Sequence, residues 1–137
     1  MSSKHVIISV GANADRAVQM MRARSMLSKE FSDVCFTPFV TTPAAPPFPK
    51  NMVRERVNVY SNLLASFTTE LDEPTLTARL KQMESELDNT RDLRRQGIVM
   101  MDIDLLQFDD KQCHPEDWQR PYVKMLIKNL NNNLNDN

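Results

Sequence analysis

Net charge is almost absent. Seventeen basic and eighteen acidic side chains leave a formal −1 over 137 residues. That balance excludes strong non-specific attraction to nucleic acid or to an anionic membrane, and leaves room only for a local basic cluster. Cysteine is scarce as well. Cys35 and Cys113 are too few, in too long a chain, for a secreted disulfide scaffold, and they read as unpaired thiols of a reducing compartment. No long uninterrupted apolar run occurs, and Met1 to His5 is short and polar. Neither a signal peptide nor a membrane span is therefore expected, and the chain reads as cytoplasmic. No internal repeat is present. Glycine occurs twice, at Gly11 and Gly97.

What is present suits one folded unit. Hydrophobic residues make up 41% and charged residues 26%, a globular balance. Folding a chain of this length buries roughly two-thirds of its extended surface, enough to stand without staples. We expect a single domain over residues 1–130 and a frayed, Asn-rich tail over 131–137.

The pattern along the chain alternates strand and helix. Val6 to Val10 is short, β-branched and apolar, and meets a turn at Gly11. Asn13 or Asp15 can cap a first helix from about Ala14 to Lys29, with Ala17, Met20, Met21 and Leu27 at helical spacing. Val34 to Thr42 reads as a second strand. Pro43, Pro46, Pro47 and Pro49 then forbid regular structure, because proline lacks a donor and fixes φ. A stiff exposed loop should follow, to about Arg54. Val57 to Thr68 reads as a third strand. Asp72 can cap a second helix with Pro74 in its first turn, and Leu76, Leu80, Met83 and Leu87 give it one apolar face. Asp88 to Gly97 reads as a polar loop with Gly97 as its hinge. Ile98 to Phe108 reads as a fourth strand, and a last helix is expected from about Tyr122 to Leu130. The order βαββαβ predicts an α+β, ferredoxin-like sheet with its helices on one face and the other face available.

Asp102 and Asp104 stand two apart on the fourth strand. Side chains alternate across a sheet, so both face one side, roughly 7 Å apart along the chain. Val99, Met101, Ile103 and Leu105 take the opposite parity and can pack under the helices. One reading is two solvated carboxylates on an exposed sheet. The other starts from their neighbours of like parity, Ile98, Met100, Leu106 and Phe108, which are apolar. Two like charges repel, and a divalent cation removes that penalty. Hard oxygen ligands without a cysteine or histidine cage favour magnesium, often shared with substrate phosphates. Arg91, Arg94 and Arg95 precede the strand and can offer phosphate a planar, always charged fork. A solvated surface loop is the alternative for them.

Several landmarks then occur in order. They are Val10-Gly11-Ala12-Asn13, Thr42-Pro43, Tyr60-Ser61-Asn62, Met83-Glu84, Asp102-Ile103-Asp104 and His114-Pro115, followed by Arg120 and Tyr122. From about Val6 to Leu126 the chain resembles the 6-hydroxymethyl-7,8-dihydropterin pyrophosphokinases of folate biosynthesis. The resemblance implies the ferredoxin-like fold and transfer of pyrophosphate from ATP to the pterin hydroxymethyl group, giving AMP. It implies two Mg2+ ions on Asp102 and Asp104. Tyr60 and Tyr122 would sandwich the pterin, Asn62 would read its edge, and the backbone around Thr42, Pro43 and Ala45 would complete the edge contacts. Lys81, Glu84, Arg91, His114 and Arg120 would lie at the nucleotide. Arg94 or Arg95 would be the arginine of a closing loop.

The family pattern is also broken in places. Val99 stands where an arginine usually precedes the first metal aspartate by three residues. Gln96 stands near an expected aromatic, Lys81 where glutamine is common, and the connection from Asp104 to His114 is short. These departures keep open a catalytically weak or inactive relative acting as a ligand-binding or regulatory module. A ferredoxin-like interaction domain pairing through a sheet edge is a third class. The expected partners are ATP and a pterin, without nucleic acid or membrane, and the expected state is a monomer or weak dimer.

Overall fold

The computed structural model describes residues 2–43 and 59–135, with side chains through residue 131. The elements run β1 (Lys4–Ala12), α1 (Arg16–Glu30), β2 (Ser32–Phe36), β3 (Val40–Pro43), β4 (Val59–Thr69), α2 (Glu73–Glu86) and α3 (Arg91–Arg95). Then come β5 (Asp102–Phe108), β6 (Lys111–Gln112), α4 (Pro115–Trp118) and α5 (Pro121–Asn135). The sheet order is β2-β4-β1-β5-β6, with β3 also on β4 and every pairing antiparallel. This is the α+β, ferredoxin-like arrangement that the element order predicts.

One face of the sheet carries the main core. Even positions of β1 (Val6, Ile8, Val10), odd positions of β4 and β5 (Leu63, Phe67, Ile103) and Met101 just before β5 meet Met20 and Leu27 of α1. Leu76, Leu80, Met83 and Leu87 close the cluster from α2. Their spacing puts all four on one helical stripe, and each buried side chain contributes on the order of 2 kcal/mol. Asp72 caps α2 as expected, accepting from the Thr75 N–H at 2.9 Å.

The opposite face is not left wholly free. Ile7, Leu64 and Leu106 form a second cluster with Val123, Leu126 and Leu130 of α5. The last helix therefore covers part of the face expected to be available. Its apolar residues recur at three and four, which needs a sheet to cover them.

Several local expectations are corrected. The second strand is split, because Pro38 has no N–H to continue a ladder. Thr37 bridges the break: its N–H donates to the Leu64 carbonyl at 2.9 Å, and its hydroxyl accepts from the Leu64 N–H at 2.9 Å. The polar stretch before β5 contains a short helix, capped by Thr90 Oγ1 accepting from Leu93 N–H at 3.2 Å. Residues 98–101 are not strand. The register of β5 against β1 shifts beside Ile7 and Ile8, so Ile8 faces Leu105 while Val6 faces Phe108. That bulge turns Phe108 onto the main core and away from the aspartates. Asp15 occupies the N-cap of α1 in a left-handed conformation with no side-chain cap bond. The proline-rich loop, with Ala45, lies outside the described residues.

Candidate active site

The site begins with the register of three central strands. Gly11 of β1 lies opposite Asn62 of β4 on one side and Asp102 of β5 on the other. The next row inward is Leu64, Ser9 and Asp104. Asn62, Gly11 and Asp102 thus share a face, and so do Ser9 and Asp104. Thr42 lies opposite Tyr60, and Val40 opposite Asn62. Strands far apart in sequence bring pterin-edge and metal candidates onto one surface, beyond the end of the cluster under α5.

Gly11 is required by the closeness of that row. A Cβ built there would sit 2.7 Å from Asn62 Oδ1. Without it the Asn62 amide lies across β1, and its Nδ2 donates to Thr42 Oγ1 at 2.7 Å. Asn62 is buried, so its oxygen is held in a fixed direction.

Asp102 and Asp104 face each other across one residue. Burial pushes the Asp104 carboxyl up to about 7, helped by the charge of Asp102, a hydrogen bond with it and the charge of Asp117; Lys81 opposes the rise. Ionising both carboxylates is costly, and a divalent cation removes the cost. The donor set is hard oxygen throughout, so these two residues fit magnesium. Between them, the Ile103 N–H points to the edge of β5 that β1 does not cover. It donates to Glu84 Oε2 at 2.7 Å. Glu84 is buried on α2 and meets Lys81 Nζ at 3.5 Å. It therefore fixes the strand from which both aspartates project.

The three arginines of α3 separate. Arg94 Nη2 lies 3.3 Å from Asp102 Oδ1 and 3.4 Å from the Met101 carbonyl. Arg91 and Arg95 are exposed, and Arg95 pairs with Asp92 at 3.3 Å. Asn13 pins the loop between α3 and β5. Asn13 is buried, donates to the Gly97 carbonyl at 2.8 Å and accepts from the Val99 N–H at 2.7 Å. Its own N–H donates to the Val99 carbonyl at 2.9 Å. Gly97 itself sits at φ 80°, which only glycine adopts without strain.

Aromatic and basic groups complete the rim. Burial raises the Tyr60 hydroxyl above its usual range, and the charge of Asp102 adds to it; Arg94, Arg120 and a hydrogen bond with Asn13 act against the rise. Tyr122, at the start of α5, shares a hydrogen bond between its hydroxyl and Ser9 Oγ at 3.2 Å. Burial raises its hydroxyl too, countered by Ser9 and Arg120. The Tyr122 ring also packs on the cluster beneath α5. Arg120 Nε donates to Asp117 Oδ1 at 3.1 Å. His114 is exposed at the head of α4, and Pro43 is exposed at the end of β3.

Asp102, Asp104, Glu84, Arg94, Tyr60, Asn62, Thr42 and Tyr122 are thus assembled around one end of the sheet. Arg91, Arg95 and His114 reach no partner in that group among the described contacts. Ser9, Gly11, Asn13 and Asp117 were not among the candidates. Ser9 and Asn13 carried a signal, each being a polar residue in or beside an apolar strand. A cleft of about 470 Å³ lined by Phe31, Asp33, Thr68 and Glu70 lies at the other end of the strands and holds none of these residues. No helix among the described residues is long and apolar enough to cross a membrane.

The family model described as 7,8-dihydro-6-hydroxymethylpterin-pyrophosphokinase matches residues 7–132. The match runs from within β1 into α5, and the chain belongs to that family. Among curated proteins no relative matches.

Proposed function

We propose that this member of the pyrophosphokinase family transfers pyrophosphate from ATP to the hydroxymethyl group of 6-hydroxymethyl-7,8-dihydropterin, releasing AMP. The observation that carries the reading is the acidic pair on β5, with Asp104 pushed up to about 7 beside Asp102 and facing the same side as Asn62 and Tyr60. Asp102 and Asp104 would hold two Mg2+ ions. Those ions supply charge neutralisation for the polyphosphate and the attacking oxygen.

The chain's own residues do the rest. Asn62, held by Thr42, offers a donor and an acceptor to the edge of a flat heterocycle. Tyr60 and Tyr122 offer aromatic surface on the same side of the sheet. Glu84 keeps both aspartates in register through Ile103. Arg94, Arg120 and Lys81 bring positive charge around the carboxylates. Arg91, Arg95 and His114, at the exposed rim, are assigned to the nucleotide. Pro43 and Ala45 are assigned to the pterin edge. The protein acts as a soluble cytoplasmic catalyst, a monomer or weak dimer.

A second reading draws on Val99. Its backbone N–H and carbonyl are both tied to Asn13. An aliphatic side chain there adds no charge to the transferred group, and losing one such cation costs on the order of 10³-fold in rate. The chain would then bind its ligands and turn over slowly. Nucleotide product analysis with magnesium, ATP and the dihydropterin separates the two. AMP formation abolished by Asp102→Ala supports the enzyme. Calorimetric binding of pterin or nucleotide without AMP supports the second reading, and an unimpaired Asp102→Ala enzyme refutes the assigned site.

A further inference from the structure

Arg94 is the arginine of α3 that contacts the acidic pair, and its contacts are all oxygen. Besides Asp102 Oδ1 and the Met101 carbonyl, it meets Asn89. With the Asn89 amide turned so that its oxygen faces the guanidinium, that oxygen accepts from Nε at 2.8 Å and Nη2 at 3.1 Å. The amide nitrogen then donates to the Met101 carbonyl at 3.3 Å. The guanidinium and Asp102 side chains are 40% and 37% exposed, so either can change partner without opening the core.

A divalent cation held by Asp102 and Asp104 needs the Asp102 carboxylate that Arg94 already contacts. Two cations cannot crowd one carboxylate oxygen without repulsion. We propose that Arg94 and the divalent metal compete for Asp102, and that the guanidinium, once released, binds the oxygens of the nucleotide's polyphosphate. The inference rests on the metal assignment above and goes beyond it. Arg94 becomes a resident counter-ion that lowers affinity for a bare metal ion and raises affinity for a metal arriving with phosphate. A planar fork suits both partners, since carboxylate and phosphate present paired oxygens at similar spacing. The anchorage of the following loop by Asn13 lets α3 stay in place while only the Arg94 side chain moves.

The test measures binding of Mn2+ alone and of Mn2+ with ATP to the full chain, by electron paramagnetic resonance and calorimetry. Arg94→Gln should tighten Mn2+ alone by about fivefold, the scale of a half-exposed ion pair. It should weaken Mn2+ with ATP by about tenfold, the scale of one charge-assisted contact. Arg95→Gln removes the same charge one residue away and should change Mn2+ affinity less than twofold. Thermal melts confirm that each variant is folded. If Arg94→Gln leaves Mn2+ affinity unchanged or weaker, or if Arg95→Gln tightens it equally, the competition is wrong. If Mn2+ tightens but the ATP complex does not weaken, the phosphate half is wrong. Asp102→Asn with Asp104→Asn separates this from the metal site itself: undiminished Mn2+ binding in that double variant would overturn the site assignment instead.

Discussion

Replacing Asp104 by asparagine should stabilise the protein in the presence of a chelator and weaken its response to magnesium. The folded chain holds the Asp104 proton up to about pH 7, whereas the unfolded chain releases it near its ordinary value of 3.8. Between those values the folded state binds more protons, so this group's contribution to stability falls as pH rises. Below about pH 4 both states are protonated and the group contributes nothing. The full rise corresponds to about 4 kcal/mol above pH 7. Partial solvation and sharing of one proton with Asp102 reduce the realised penalty to about 1–2 kcal/mol. Asparagine keeps the shape and removes the charge, so Asp104→Asn should gain that amount at pH 8 in chelator. The gain should shrink towards zero by pH 4. Urea unfolding at pH 4, 6 and 8 measures it. With magnesium at ten times its dissociation constant the native chain gains about 1.4 kcal/mol, and the variant gains little. A variant destabilised at pH 8 in chelator, or a gain over the native chain that is the same at pH 4 and pH 8, would refute the reasoning.

Two further substitutions probe the frame of the site. Gly11→Ala should displace Asn62, because the new Cβ would lie 2.7 Å from Asn62 Oδ1. A cost of about 1–3 kcal/mol in urea unfolding is expected, with pterin affinity reduced more than tenfold in calorimetry. Asn13→Ala removes the side-chain bonds to the Gly97 carbonyl and Val99 N–H. It should cost about 2–3 kcal/mol and raise amide exchange at residues 97–99, while the rates in α2 hold.

Much of the fold was legible because its signals are periodic. The Leu76, Leu80, Met83, Leu87 stripe and the Asp72 cap fix α2 without reference to anything else in the chain. The Asp102–Asp104 face follows from the alternation of a strand. What escaped depends on pairing. Phe108 shares parity with the aspartates in sequence, yet one extra residue in β5 turns it to the other face. Asn13 looked like a helix cap, because the sequence does not show that Gly97 and Val99 come alongside. Arg91, Arg94 and Arg95 looked equivalent. Helical spacing within α3, set by the Thr90 cap, directs Arg94 to Asp102, and neither Arg91 nor Arg95 makes that contact. Ser9 reads as a blemish in an apolar strand until its register with Asp104 and its bond to Tyr122 are known.

The position of the site is decided by where α5 begins. On its face of the sheet, α5 covers Ile7, Leu64 and Leu106, and Gly11, Asn62 and Asp102 lie past its start. Pro121 opens the helix, and a residue before proline is disfavoured in helical conformation, so α5 has difficulty growing backwards. One added turn would extend it by about 5.4 Å, more than the spacing between neighbouring strands, and draw Asp117 to Arg120 into the helix. Instead the chain ahead of it folds as α4 and places Asp117 and Arg120 at the border, with Tyr122 anchored on Ser9. The prolines late in the chain thus have a functional reading. They stop a core-forming helix short of a carboxylate pair that burial has already made costly, with the Asp102 side chain left 37% exposed; on the proposed function, that leaves the pair open to cations and phosphate.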